Sequence, residues 1–154
     1  MEGDKGVRDK QRKKVYRAEW ELGLQIGFFR SLRSTLKWAR EVVQSDWWKI
    51  NVGREVEFVL PKSNRRNAMC RFGKVCLPDS RWAWNKLVVL HELAHFIAGS
   101  LAKHNERFCG IMLELVEEFL GLRWAVELRK AYEKHGVRYE VFVYEWVLSE
   151  IEVC

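Results

Sequence analysis

Residues 88–99 read Val-Val-Leu-His-Glu-Leu-Ala-His-Phe-Ile-Ala-Gly, and the rest of the chain is read outward from them. The pattern predicts a helix from about Arg81 to Ala98, ending near Gly99, with apolar residues on nearly every face. A helix apolar all round is a buried one. Inside it lies His91-Glu92-Leu93-Ala94-His95, an H-E-x-x-H motif that uses two of the chain's four histidines. Residues four apart on a helix share a face one turn apart, so both imidazoles reach a single metal ion. Glu92 stands about 100° further round, beside such an ion, where its carboxylate can take a proton from water. A random shuffle of this composition produces the motif about once in a hundred chains. Two satisfied histidines on an ordinary helix are the plainer reading. Yet buried polar groups need partners, and a metal ion serves all three here. Zn²⁺ suits two imidazoles, binds nitrogen at about 2.0–2.1 Å and lowers the pKa of its water to about 7.

A third ligand is then required. In the metzincin pattern Gly and His follow three and six residues after the second His; Ala98 and Leu101 stand there, which excludes that class. His104 lies nine residues after His95, beyond the predicted helix end, and a turn would bring it back to the metal. Glu114, with Glu117 and Glu118 nearby, has a spacing resembling the gluzincin aminopeptidases. His104 is preferred and Glu114 is the reserve.

Around this centre, 154 residues with 48% hydrophobic content suit one compact domain, and no internal repeat or linker divides it. No apolar run approaches the roughly 20 residues of a membrane span. The N-terminus lacks the apolar stretch of a secretory signal, and Cys70, Cys76, Cys109 and Cys154 include no C-x-x-C pair. A cytoplasmic setting is expected. Residues 1–86 carry 20 Lys/Arg against 10 Asp/Glu, whereas residues 87–154 carry 7 against 11. The basic half suits a nucleic acid or acidic surface, although an ordinary solvated surface has the same look.

Residues 1–11 are expected as a flexible basic tail, 12–137 as the domain and 138–154 as an apolar, acidic extension of unassigned role. Two helices are expected between Gln11 and Trp48, interrupted at Gly23 and Gly27. Glu55–Leu60 reads as a strand stopped by Pro61, and Lys62–Asn67 as a basic turn. Met69–Leu77 reads as a second strand with Gly73 as a turn or bulge, offering an edge to an extended peptide. Asp79 or Ser80 would cap the buried helix. Helices follow at about Glu106–Leu120 and Leu122–Lys134, separated by Gly121. Cys109, Trp82 and Trp84 are expected to pack in the core. Tyr132, Tyr139, His135 and Arg81 are all candidates to stabilise an oxyanion, and nothing separates them.

The block KVCLPDSRWAWNKLVVLHELAHFI, followed by HNERFCGIMLELVEEFLG, resembles the zinc-site region of the SprT-like minimal metalloproteases. With the N-terminal QRKKVYRAE, the strand ending at Leu77-Pro78, and His104 with Phe108, the chain is similar to a family of small metallohydrolases from actinobacteria and their phages. The resemblance spans about Gln11 to Gly136. One departure is Asn105, where the SprT-type segment usually has Gly. The resemblance implies an α+β, zincin-like fold, a zinc site at His91, His95 and His104, and a catalytic Glu92. It supplies no substrate. The expected activity is zinc-dependent hydrolysis of a peptide or protein; the alternatives are a zinc-containing binding module without turnover and a nucleic-acid-associated SprT-like protease.

Overall fold

The computed structural model describes residues 8–60, 69–71 and 73–141; the expected turn at Lys62–Asn67 and most of the C-terminal extension lie outside them. The elements run α1 (Arg12–Ile26), α2 (Leu32–Gln44), α3 (Asp46–Asn51), β1 (Glu57–Val59), β2 (Met69–Arg71), β3 (Lys74–Cys76), a 3₁₀ turn (Arg81–Ala83), α4 (Lys86–Ala98), α5 (Glu106–Leu120) and α6 (Leu122–Lys134). The architecture is α+β, as expected: helices, a small sheet, the helix carrying the histidine pair, then two more helices. Among the described residues no helix is long and apolar enough to cross a membrane.

Helix α4 is the axis of the molecule. Leu87, Val89, Leu90, Leu93 and Ala94 are buried, because α1, α2, α5 and the sheet all pack against it. That all-round burial explains why its sequence is apolar on every side. Helix α1 presents Val15, Ala18 and Leu22 to the core, and α6 contributes Ala125, Leu128 and Tyr132. Helix α5 buries Phe108, Met112 and Leu115 on the expected face, while Phe119 packs half-buried, edge-on, against Trp47.

Several expectations are corrected in detail. Gly23 does not interrupt α1, which runs on to Ile26; the break comes at Gly27, whose φ of 89° is open to glycine and strained for other residues. Gly23 stays helical where the Asn85 side chain approaches closely, with Asn85 Nδ2 donating to the carbonyls of Gly23 (3.0 Å) and Gly27 (2.9 Å). The cap of α4 is neither Asp79 nor Ser80. The chain first makes the 3₁₀ turn, and Asn85 Oδ1 then accepts the Leu87 N–H at 2.8 Å. A bulky, largely aromatic run, Trp82-Ala83-Trp84, occupies the segment expected to open the helix.

Met69–Leu77 is a hairpin rather than one strand, turning at Gly73 with φ 73°. The order is β1-β3-β2: β1 pairs parallel to β3 in the register Phe58↔Val75, and β2 pairs antiparallel in the register Cys70↔Val75. The strand nearest the buried helix in sequence, β3, is therefore central, and among the described residues β1 and β2 are the outer strands.

The expected tail is tied down at its end. Gln11 Nε2 donates to the carbonyls of His104 (3.0 Å) and Arg138 (3.1 Å), and its Oε1 accepts the Arg138 N–H at 2.7 Å. Glu140 N–H donates to the Glu106 carbonyl at 2.9 Å. One glutamine thus joins the start of α1, the return loop before α5 and the chain after α6.

Candidate metal centre

The site is built from the middle of α4 and the loop that follows it. His91 and His95 project from one face of the helix toward the return of the chain. Gly99 ends α4 with φ 87°, Ala102 N–H bonds back to the Gly99 carbonyl, and Lys103 takes a left-handed φ of 49°. A non-glycine residue in that region costs about 1–2 kcal/mol. Its consequence is that His104 points back at the pair. Asn105 then caps α5, its Oδ1 accepting the Phe108 N–H at 3.1 Å. The departure from glycine at this position thus supplies a helix cap.

The ligand-type atoms of His91, His95 and His104 all lie within 4.8 Å of one another. The Nε2 atom of His104 is 3.2 Å from Nε2 of His91 and 3.2 Å from Nε2 of His95. Glu114, half-buried on α5, is not part of this group, so the structure brings together the preferred third residue and not the reserve.

The tautomers follow from the groups behind the rings. His91 Nδ1 is 2.6 Å from Glu19 Oε2, and His104 Nδ1 is 2.7 Å from Asp9 Oδ2. A carboxylate only accepts, so each Nδ1 carries a proton, and in the neutral ring the lone pair is left on Nε2. Burial, joined by the nearby His91 and His104, lowers the pKa of His95 to about 2, and burial also lowers that of His104, so both are neutral. For His91, burial would lower the value, but Glu19 outweighs it and the net shift is upward. Lone pairs facing one another at 3.2 Å repel unless something positive lies among them. Two nitrogens bound tetrahedrally to one ion at 2.0–2.1 Å stand about 3.3 Å apart. The donor set, the tautomers and the spacing all fit a metal ion.

Glu19 was not singled out in the sequence. It is 7% exposed, and its second oxygen accepts from the Tyr132 hydroxyl at 3.2 Å. The signal was present: Val15, Ala18, Glu19 and Leu22 fall at i, i+3, i+4 and i+7, which puts a carboxylate in the buried stripe of α1. Asp9 gave no such signal. Phe108, fully buried, places its ring 4.4–5.0 Å from all three imidazoles. Tyr16 stacks on His91 at 5.4 Å and 20° between planes.

Glu92 is 6% exposed, and burial raises its carboxyl to about 7 despite the opposing pull of His91. With His91 it forms part of the wall of an open cleft of about 770 Å³ between α1 and the start of α4. Trp82 faces this cleft and is 38% exposed, so it is not a core residue as expected.

None of the four oxyanion candidates stands at the metal-facing side. Tyr132 is fully buried behind Glu19, His135 pairs with Glu21 at 3.1 Å, Tyr139 donates to Glu133 at 2.9 Å, and Arg81 lies exposed in the 3₁₀ turn. Cys109 is buried as expected, its thiol 3.8 Å from the His104 carbonyl, with its pKa raised by burial. Compared with known proteins, the chain matches no family model, and no curated protein or solved structure is found similar to it.

Proposed function

We propose that the protein is a metal-dependent hydrolase, with zinc as its ion and the amide bond of a peptide or protein as its substrate. One observation carries this reading: the imidazoles of His91, His95 and His104 converge at metal-ligand spacing while a buried carboxylate, Glu92, adjoins them and borders an open cleft. A zinc ion held by His91, His95 and His104 would polarise the scissile carbonyl and make the attacking water more acidic. Glu92 does the proton work. Buried beside His91 at the wall of the cleft, it is the carboxyl placed to take a proton from water and hand it to the leaving amine. Glu19 and Asp9 hold the His91 and His104 rings in the tautomer that donates a lone pair.

Three protein donors rather than four, among the described residues, favour turnover over a closed structural zinc site. The small sheet beside the H-E-x-x-H helix and the resemblance of the motif block to SprT-like proteases support the same reading and a zincin-like fold.

The test begins with metal content by mass spectrometry on protein purified without an affinity tag. About one zinc is expected in wild type and in Glu92→Gln, with a large loss in His104→Ala. Wild type should then cleave members of a peptide library, and Glu92→Gln should cleave them at least about 100-fold more slowly. Equal rates would remove Glu92 from its role. A zinc-loaded wild type that cleaves nothing would leave a binding module without turnover.

A further inference from the structure

The cleft beside Glu92 has a composition that the chemistry at the metal does not require. Its walls are Tyr16 and Trp20 from α1, Phe28 from the turn after it, Trp82 from the 3₁₀ turn, and Leu87 and Val88 from α4. Tyr16, Trp20 and Trp82 remain 45%, 52% and 38% exposed. Leaving large rings wet forgoes the gain of burying them, about 25 cal/mol per Å², and clustering them in one concavity marks a place where a ligand completes the burial. The volume, about 770 Å³, falls among ligand-binding clefts of roughly 300–1,000 Å³.

The charge is as informative as the apolar wall. Arg12, Tyr16, Glu19, Trp20 and Gly23 repeat along one face of α1, and all of them border the cleft. Its two carboxylates, Glu19 and Glu92, are buried, and Glu19 is already engaged by His91 and Tyr132. The charges presented to solvent by its lining are Arg12 and Arg17, with the Arg12 guanidinium 5.8 Å from the Tyr16 ring centre. Two guanidinium groups suit one carboxylate. A nucleic-acid backbone draws on a longer row of cations, about 6–10 contacts in a typical complex.

We propose that this cleft selects the substrate: it takes a bulky, preferentially aromatic side chain next to the scissile bond, and Arg12 and Arg17 hold a free carboxylate on the same residue. The preferred substrate is then a peptide ending in an aromatic residue. This rests on the hydrolase reading, but binding can be measured without turnover.

The experiment titrates N-acetylphenylalanine, its amide and N-acetylalanine into the metal-loaded full chain by calorimetry. N-acetylphenylalanine is expected to bind at least about tenfold more tightly than either comparison ligand, each tenfold being 1.4 kcal/mol. Trp20→Ala should abolish the preference for phenylalanine over alanine, and Trp82→Ala repeats the test from the other wall. The double variant Arg12→Gln/Arg17→Gln should abolish the preference for acid over amide, which it would not do if the carboxylate simply sat on the metal. Metal content should be unchanged in all three. Equal affinities, or preferences that survive the substitutions, overturn the assignment. So does a thymidine decanucleotide that binds more tightly than N-acetylphenylalanine and depends on Trp20, since the cleft would then stack bases. If the binding pattern holds but peptides ending in phenylalanine stay intact, the hydrolase reading fails and the cleft assignment stands. If peptides are cleaved without regard to the terminal residue, the reverse is true.

Discussion

Behind two of the three imidazoles stands a carboxylate, and the two carboxylates differ in surroundings. The Glu19 side chain is 9% exposed and that of Asp9 is 20% exposed. Glu19 also anchors Tyr132, so its position is doubly determined, whereas Asp9 precedes α1. Removing such a group behind a ligating histidine costs roughly 10–100-fold in metal affinity. Glu19→Gln is therefore expected to weaken zinc binding by roughly that factor, measured by competition with a chromophoric chelator. Asp9→Asn should fall at the low end of the range, because water can reach this partly exposed acceptor. If both variants bind zinc like wild type, these carboxylates do not orient the ligands. The sequence pointed to the three histidines and not to the carboxylates behind them. A ligand motif is local, while Glu19 lies 72 positions from the ring it holds.

Among the elements, α4 is tied to a partner distant in sequence. Asn85 caps it with Oδ1 and uses Nδ2 to tie it to the end of α1 through the carbonyls of Gly23 and Gly27. Asn85→Ala removes a cap worth about 1 kcal/mol. It also takes the donor from the half-buried Gly27 carbonyl, at about 1–3 kcal/mol, whereas the Gly23 carbonyl keeps the Gly27 N–H. A loss of about 2–4 kcal/mol is expected, read as a lower urea midpoint with an unchanged slope. A loss below 1 kcal/mol would mean that apolar packing alone positions α4. The same contact accounts for the misreading of Gly23. Glycine ends helices often enough to be read as a break, but here it stays helical with the Asn85 amide bonded to its carbonyl, a fact that belongs to the packing of two helices. Gly27, Gly99 and Gly121 close their helices at positive φ, as their positions suggest.

At the scale of the molecule, the candidate metal centre joins segments distant in the chain. His91 and His95 come from α4, His104 from the return loop, and their supports from α1 and the residue chain before it. An ion bound only by the folded chain stabilises it by about 4 kcal/mol when present at 1,000 times its dissociation constant. Chelation is therefore expected to lower the melting temperature by roughly 10 °C. Glu92→Gln should show the same drop, while His104→Ala should melt low with or without chelator. Identical melting of chelated and untreated wild type would rule out a metal that supports the fold. The basic first half of the chain does not form the centre by itself; it lends α1 to it and sets Arg12 and Arg17 at the rim of the neighbouring cleft.

What the sequence determined alone is what short-range physics determines. Helical periodicity placed α5 and α6, all-round apolarity marked α4 as buried, and a four-residue spacing put two imidazoles on one face with Glu92 beside them. His104 was legible as a candidate, because a turn after Gly99 was readable; that it and not Glu114 meets the pair depended on the left-handed Lys103 and on the packing of α5. The Glu19, Asp9 and Asn85 contacts, the central place of β3 and the exposed rings of the cleft were decided only in three dimensions. Each joins residues far apart in the chain, and which distant groups meet is settled by how the apolar faces pack, since a buried polar group then takes whatever partner that packing brings within reach.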